Sequence, residues 1–517
     1  MKNRGNIIKL MFLATALMLS SQAYAGPFDE NETVDAKAIS SAHMEASGSD
    51  LEGGAATVAA VEDTVTAFKK GSDINSLQMY LTDPSANILL VKQATPAIGA
   101  NKDDISEISI DSSEKYQTID GFGFALTGGS AYLLNKMSAE DRKEALRKFY
   151  DPEYGIGASM VRISIGASDL SKKCFTYDEK LIGTDKELKK FNIKAGDKEV
   201  IPMLKEILAI NPNIKILATP WSAPTWMKTK RLYGGGNLKT EYYQVYADYF
   251  VKYLQAMKDN GINVNTISCQ NEPECDTNKP SMAMDAVSQA NFIGKYLGPT
   301  LEKNGFGDIE ILCWDHNCDK KDYALTVMGD ADANKYVTGS AWHLYAGDIS
   351  TLSEVYAEQP EKKLYLTEQW TGRTGDFAGD FKWHLSNVIL GTMNNYGNAA
   401  FEWNLASDQN CDPHTLGGCP DCKGAVTINK NTKKIDSYNQ AYYIVGQVSK
   451  FVKPGSVRIS AKSNDNSLET SAFERTDGKL VVVVLNSSGD TKKFKITSGK
   501  NTISSCLNPG AAATYIW

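Results

Sequence analysis

The sequence predicts an α/β protein, a (β/α)8 TIM barrel with an attached antiparallel β-sandwich. Eight short apolar segments lie between Gln117 and Ser407, and amphipathic helical patterns separate them. Strands that alternate with helices at this spacing are typical of a barrel with a parallel sheet. The last part of the chain alternates β-branched with polar residues, which predicts antiparallel strands. A chain of 517 residues is long enough for both domains.

The chain begins with the features of a secretory signal peptide, predicted over residues 1–25. Lys2, Arg4 and Lys9 precede an apolar run over residues 11–19, and Ala23-Tyr24-Ala25 fits a cleavage site between small residues. The run is too short to span a membrane. We therefore expect an exported protein, either periplasmic or secreted, with no membrane span.

Residues 26–80 are rich in Ala, Ser, Asp, Glu and Gly, a composition that predicts a flexible leader. Residues 81–116 contain strand patterns that precede the first barrel strand, and we expect these strands to join the β-sandwich.

The catalytic barrel is predicted over residues 117–425. Two helical patterns are clear, at residues 139–150 and 241–261. The predicted strands are QTIDGFGFALT (117–127), MVRISIGASD (160–169), IKILATPWSAP (214–224), NTISCQNEP (265–273), IEILCWDHN (309–317), VTGSAWHLYAG (337–347), KLYLTEQW (363–370) and AAFEWNLAS (399–407).

The β-sandwich is predicted over residues 426–517. Asp477-Gly478 is a hairpin signal between two strand patterns.

The net charge of the chain argues against a nucleic-acid partner. The formal net charge is −7, and removal of the three basic residues of the signal peptide makes it more negative. An acidic chain without a basic run is not typical of nucleic-acid binding, and a neutral substrate fits better.

The nine cysteines are an odd number, and some of them can pair in an exported protein. Cys411, Cys419 and Cys422 share the stretch CDPHTLGGCPDC. With His414 as a fourth ligand they could form a zinc site, but a local disulfide or free thiols in a surface loop is the preferred interpretation.

The ends of the predicted strands carry the chemistry, because a barrel of this type has its active site at the C-terminal ends of its strands. Carboxylates, tryptophans, amides and imidazoles meet there. Indole rings pack on the C–H faces of sugars, and the polar side chains can bind their hydroxyl groups. The candidate substrate-binding residues are Arg162, Asp169, Trp221, Asn271, His343, Tyr345, Trp370 and Trp403.

Glu272 and Glu368 form the best candidate catalytic pair. They end strands four and seven, where burial can raise the pKa of a carboxyl group. Glycosidic cleavage needs one carboxylic acid and one carboxylate, and strands on opposite sides of the mouth can bring them to the roughly 5–5.5 Å of a retaining enzyme. Arg162 is expected to pair with Asp169 or a glutamate and to tune the nucleophile.

These motifs resemble glycoside hydrolase family 30, which includes lysosomal glucosylceramidase and microbial β-1,6-glucanases. The matching stretches are IDGFGFALTGGSA, MVRISIGASDLS, ILATPWSAPTWMKT, ISCQNEPE, SAWHLYAG, LYLTEQW and FEWNL. The resemblance implies retention of anomeric configuration and no metal or organic cofactor. It implies that Glu272 is the acid/base, that Glu368 is the nucleophile and that Asn271 binds the sugar 2-hydroxyl.

The sequence departs from the family pattern at Leu344, where glucosylceramidases have an aromatic residue, and in the CDPHTLGGCPDC loop. LYGGGNLKTEYYQVYADYFVKYLQ looks more like the glucanase branch. We therefore expect a β-glucan substrate, with endo-β-1,6-glucanase activity as the best single hypothesis.

Alternatives remain open. Within the family, the enzyme could act on a β-glucoside, on glucosylceramide or on β-xylan. A non-catalytic carbohydrate-binding protein is a second alternative. A metal-dependent hydrolase that uses His316, His343 and Asp315 is a third.

Overall fold

The computed structural model describes residues 76–98 and 105–517. The predicted signal peptide and nearly all of the predicted leader lie outside these residues. Among the described residues, no helix combines the length and the apolar character that a membrane crossing requires.

Eight parallel strands form a closed barrel, as predicted. Each strand pairs with the next in sequence, and the eighth pairs with the first. We number them barrel strands 1 to 8 in chain order: Gly121–Ala125, Met160–Ser164, Lys215–Thr219, Thr266–Ser268, Glu310–Asn317, Val337–His343, Lys363–Glu368 and Ala399–Asn404.

The barrel strands are buried on both faces. Their outward side chains pack under helices, and their inward side chains fill the barrel. The inner layer consists of Met160, Leu217, Leu312, Ala341, Tyr365, Ala399 and Phe401. This burial explains why the strands have near-continuous apolar sequences.

The helices between the strands follow from local sequence signals. Ser138 caps the helix Ala139–Tyr150 by accepting from the Asp141 N–H. The long helix Tyr243–Asp259 buries a stripe that includes Tyr246 and Phe250. The other helices are Gly128–Leu134, Ile193–Gly196, Val200–Ile210, Ala286–Phe292, Gly298–Lys303, Lys321–Gly329, Thr351–Glu358, Phe377–His384, Thr392–Asn394 and Gln440–Ser449. Two π-helical segments, Ile293–Leu297 and Leu385–Gly391, connect helices that follow barrel strands 4 and 7.

The second domain is a ten-stranded sheet that folds over its own core, in which Phe494 meets Tyr515 edge to face. Its C-terminal strands are Val457–Ser463, Leu468–Glu474, Leu480–Asn486, Lys492–Ser498, Asn501–Leu507 and Ala512–Ile516. Its N-terminal strands are Gln78–Asp83, Ile88–Gln93, Ala97–Ile98 and Ser106–Thr118. The sheet therefore includes strands that precede the barrel, and it begins at Gln78, inside the predicted leader.

The predicted boundary at residue 426 is wrong. Val426–Ile428 and Ile435–Tyr438 form a small sheet with Ala406–Ser407, just after barrel strand 8. The helix Gln440–Ser449 then packs against the barrel. The sequence indicated strands in this stretch but not the strand with which they pair. The C-terminal part of the sandwich therefore begins only at Val457.

Candidate active site

Barrel strand 4 presents Glu272 through an irregular turn. The Asn271 N–H donates to the Pro220 carbonyl at 2.8 Å, and the Glu272 N–H donates to the Asp315 carbonyl at 2.9 Å. Glu272 has a φ of +46°, a conformation that a non-glycine residue adopts at an energetic cost. The turn directs the Glu272 carboxyl toward the centre of the barrel mouth, where it meets His343.

Barrel strand 7 ends at Glu368, whose carboxylate is held at both oxygens. Arg162 Nη1 donates to Oε2 at 2.5 Å, and the Tyr345 hydroxyl donates to Oε1 at 2.9 Å. Glu368 is 6 % exposed. Its orientation is therefore fixed by one residue from barrel strand 2 and one that follows barrel strand 6.

Arg162 is fully buried and joins three other strands. Besides Glu368, it donates through Nη2 to Asn271 Oδ1 at 2.6 Å and to Asp315 Oδ2 at 3.1 Å. The predicted pairing with a glutamate is present, and the second ion-pair partner is Asp315. The planar fork of a guanidinium suits several acceptors at once.

Asp315 belongs to the site, although the sequence placed it only in the metal-dependent alternative and not among the candidate sugar-binding or catalytic residues. It lies fully buried at the end of barrel strand 5 and accepts from Ser268 at 2.5 Å and from Thr367 at 2.7 Å. Burial alone would raise the pKa of Asp315, but the charge of Arg162 and the hydrogen bond with His343 hold it well below its usual range. Its place beside Trp314 and His316 at a strand end was the available signal.

His343 lies between two carboxylates. Its Nδ1 is 3.2 Å from Glu272 Oε1, and its Nε2 is 3.2 Å from Asp315 Oδ1. Burial favours neutral imidazole, yet the charges of Glu368 and Asp315 and the two hydrogen bonds raise the pKa of His343 to about 9. His343 therefore carries a proton between these acids at neutral pH.

The two glutamates are close enough to compete for a proton. One oxygen of each and a ring nitrogen of His343 all lie within 4.8 Å of one another. Burial and the charge of Glu272 raise the pKa of Glu368, against the charges of His343 and Arg162. Burial acts the same way on Glu272, but the hydrogen bond and charge of His343 outweigh it and lower its pKa. The carboxyls and the imidazole thus titrate as one unit.

The three predicted tryptophans share one side of the mouth. Trp221 and Trp403 stack on each other with ring centroids 5.4 Å apart, and both rings lie near the Arg162 guanidinium. They are 2 % and 3 % exposed, so they leave little surface for a ligand. Trp370 packs against them but stays partly exposed, so of these three tryptophans it has the most surface open to a ligand.

Asp169 lies at the edge of this aromatic cluster. Burial raises the pKa of Asp169 to about 7, and the charge of Glu368 adds to this effect. The carboxylate accepts from the Cys419 backbone N–H at 3.3 Å, so the cysteine-rich loop borders the site.

The preferred interpretation of that loop was a local disulfide or free thiols, and the structure contains both: Cys419 and Cys422 form a disulfide, and Cys411 is a free thiol. The sulfurs of Cys419 and Cys422 bond to each other, so they are not thiolate ligands for zinc. His414 Nδ1 lies 2.8 Å from the Thr415 carbonyl.

The metal-site alternative named His316, His343 and Asp315. Among the described residues, the group with metal-ligand spacing is instead Glu272, His343 and Glu368. In this group Arg162 already pairs with Glu368, and His343 lies against Glu272. His316 packs against Trp314, with ring centroids 5.1 Å apart and ring planes tilted by 40°.

The structure therefore brings the predicted residues together at one end of the barrel. Asp315 contacts both Arg162 and His343 and so joins the predicted residues into one network, which contains Arg162, Asn271, Glu272, His343, Tyr345 and Glu368. Asp169, Trp221, Trp370 and Trp403 form its border.

Family models match nearly all of the described chain. The model described as the glycosyl hydrolase family 30 TIM-barrel domain matches residues 119–452. The model described as the family 30 β-sandwich domain matches residues 455–515.

The chain is also similar to characterised proteins. It is 33 % identical over 453 residues to endo-1,6-β-D-glucanase neg1 of Aspergillus fumigatus, an alignment that covers 82 % of this chain and 90 % of that protein. It is 29 % identical over 440 residues to lysosomal acid glucosylceramidase of Mus musculus, covering 79 % and 83 %. A solved endo-β1,6-glucanase superposes with a TM-score of 0.79 at 35 % identity, covering 85 % of this chain and 99 % of that one.

Proposed function

Because the chain belongs to glycosyl hydrolase family 30, we propose that it is a retaining endo-β-1,6-glucanase in which Glu368 is the nucleophile and Glu272 the acid/base. The observation that carries the proposal is the glutamate pair. Two carboxyl groups approach within 4.8 Å at the barrel mouth, and each is held by its own set of partners. A short separation of this kind suits a double displacement.

In the first step, Glu368 attacks the anomeric carbon. Arg162 and Tyr345 orient its carboxylate and favour the charged form, because both donate hydrogen bonds to it. The bond to the leaving oxygen breaks as Glu368 bonds to the anomeric carbon, and the negative charge of Glu368 stabilises the positive charge that develops on the sugar ring.

The proton for the leaving oxygen comes from the Glu272–His343 pair. The pair can hold one proton either as imidazolium and carboxylate or as imidazole and carboxylic acid. Arrival of the substrate covers Glu272 and favours the second form, because burial penalises the charged carboxylate. In the second step Glu272 takes a proton from water, which then releases the sugar from Glu368.

Asn271 and Asp169 bind the sugar. Arg162 donates to Asn271 Oδ1, which leaves the Asn271 amide N–H groups to donate to a sugar hydroxyl. Asp169, whose carboxyl group is held by the Cys419 N–H, can accept hydrogen bonds from sugar hydroxyls. Trp370, as the partly exposed tryptophan, offers a ring face to the C–H groups of a sugar.

The substrate assignment is supported by the relatives. Three curated proteins of 31–33 % identity are endo-1,6-β-D-glucanases, whereas the glucosylceramidases lie at 29–32 %. Because these ranges overlap, activity on small β-glucosides is the second candidate.

Product analysis tests the proposal. The purified protein is incubated with β-1,6-glucan, β-1,3-glucan, xylan and an aryl β-glucoside, and the products are separated by size. Short oligomers from β-1,6-glucan alone support the proposal. Glucose from the aryl glucoside, with the polymers untouched, contradicts the endo-glucanase assignment and favours the second candidate. Glu368→Gln is the matched inactive control, and it should remain folded.

We also propose that the protein is exported, because residues 1–25 have the charge and apolar pattern of a signal peptide. N-terminal sequencing of the protein from the native host should begin at Gly26. A protein that retains Met1 or Lys2 contradicts export through this segment.

A further inference from the structure

The segment of residues 411–423 follows barrel strand 8 and crosses the mouth of the barrel; we call it the strap. The Thr415 N–H donates to the Asp169 carbonyl at 2.7 Å. The Thr415 hydroxyl donates to the Lys279 carbonyl. The strap is thus fastened to the segments that follow barrel strands 2 and 4.

The other end of the strap is fastened to the loop that follows Glu368. Cys422 pairs with Gly372 in a short antiparallel bridge. Arg373 strengthens this attachment, because its N–H donates to the Asp421 carbonyl at 3.0 Å and its guanidinium lies 2.9 Å from the Asp421 carboxylate.

The disulfide links this anchored end to the residue that holds Asp169. Cys422 is fixed in the bridge, and Cys419 donates its backbone N–H to Asp169 Oδ2. Gly418 lies so close to Asp169 that a Cβ atom there would be 2.4 Å from the Asp169 carbonyl oxygen. The strap backbone therefore defines where Asp169 can lie.

The disulfide also packs on the aromatic border of the pocket. Cys422 is buried with Leu170, Trp221 and Trp403, and Cys419 lies against the same cluster. An opened disulfide would free Cys419 from this packing, and the N–H donor to Asp169 would move with it.

We propose that the Cys419–Cys422 disulfide positions Asp169 for the bound sugar, so that opening it weakens sugar binding and leaves the two glutamates in place. The inference rests on the proposed function, because it takes Asp169 as a sugar ligand. Glu368 is held by Arg162 and Tyr345, and Glu272 by His343. None of these hydrogen bonds involves the strap.

Dithiothreitol opens the Cys419–Cys422 disulfide by reducing it. Two electrons and two protons pass from the reagent to the disulfide, which becomes two thiols, and the reagent becomes a cyclic disulfide. Cys411 is a buried thiol in the same strap and provides a matched control.

The experiment compares wild-type protein, the double variant Cys419→Ser/Cys422→Ser and the control Cys411→Ser. For wild-type protein with dithiothreitol and for the double variant, KM for β-1,6-glucan should rise roughly tenfold, as expected for the loss of one charge-assisted hydrogen bond. kcat should change less than about threefold, since the residues that act on the transition state are untouched. The control should behave as wild type, and dithiothreitol should have no further effect on the double variant.

Binding without turnover provides the second measurement. A β-1,6-linked glucotetraose is titrated calorimetrically into Glu368→Gln protein, with and without the two cysteine substitutions. The affinity should fall by the same factor as the KM rises. Asp169→Asn, without the cysteine substitutions, should by itself weaken binding of the oligosaccharide. The remaining affinity should then not change when dithiothreitol is added.

An unchanged KM and affinity after opening, with two additional thiols titrated, would overturn the inference. A parallel fall of kcat and of thermal stability would also overturn it, since the disulfide would then hold the fold and not Asp169. If untreated wild-type protein does not cleave β-1,6-glucan, the proposed function fails instead, and the calorimetric comparison is then made with the aryl β-glucoside or polymer that the protein does cleave. If the double variant does not fold, reduction of the folded wild-type protein provides the same comparison.

Discussion

Arg162 is the residue at which the charges of the site meet. It is fully buried and donates to Glu368 in barrel strand 7, to Asp315 in barrel strand 5 and to Asn271 just after barrel strand 4. Its sequence context predicted the pairing with a glutamate. It did not predict Asp315 as the second partner, because that contact depends on the backbone at the end of barrel strand 5.

His343 should control the alkaline limit of activity. The pKa of His343 is raised to about 9 by its carboxylate neighbours. The Glu272–His343 pair therefore keeps its transferable proton up to that pH, and kcat/KM should fall above it. The stabilisation from the raised pKa is full below about 6.5 and is lost as the pH rises through about 9.

The variant His343→Gln tests this assignment through the pH profile of kcat/KM. Glutamine carries no exchangeable charge, so the alkaline limb should then follow Glu272 alone and move to lower pH by at least about one unit. An alkaline limb that stays near pH 9 in the variant would show that another group controls it.

The contact between barrel strands 1 and 2 depends on glycine. A Cβ atom on Gly123 would lie 2.1 Å from the Met160 carbonyl oxygen, so the strands could not keep their spacing. Gly123→Ala should lower the free energy of unfolding by roughly 3 kcal/mol or more, in the range of severe overpacking.

Chemical denaturation measures this difference. Gly329→Ala is the matched control, because a Cβ atom there meets nothing within 4 Å. If both variants lose the same stability, close approach of the strands is not the cause.

At the level of elements, the sequence pattern was sufficient to predict the eight barrel strands, because each strand has an apolar run bounded by polar residues. The geometry of the strand ends was not predictable. Trp314 and Asp315 both have positive φ, near 70°, where barrel strand 5 shifts its register against barrel strand 6. Nothing in the local sequence requires this conformation, since neither residue is a glycine. Tertiary contacts from Arg162 and His343 fix it.

The two domains share the strand Leu480–Asn486, which is buried on both faces. Val481 and Val483 belong to the core of the barrel side, and Val482 and Val484 to the core of the sandwich. The sequence predicted this strand and its domain. It did not predict which residues form the interface. A strand buried on both faces is apolar throughout, so no alternation of apolar and polar residues shows which side chains face which domain.

Barrel and sandwich should therefore unfold together. Val482→Ala and Val483→Ala remove methyl groups from opposite faces, and each should cost about 2 kcal/mol. Differential scanning calorimetry should show one transition that both variants shift to lower temperature. Two separate transitions, with each variant shifting only one of them, would contradict a shared core.

The central claim is that Glu368 attacks the sugar and Glu272 moves the proton. The most direct measurement is azide rescue of Glu272→Ala and Glu368→Ala with an activated aryl β-glucoside, followed by NMR of the glycosyl azide. Without its acid/base the enzyme still forms the intermediate, and azide should then displace Glu368 to give the β-azide. Without the nucleophile, azide should attack the substrate directly and give the α-azide. If the two variants give the opposite anomers, the roles are reversed, and if neither is rescued, the two glutamates are not the catalytic pair.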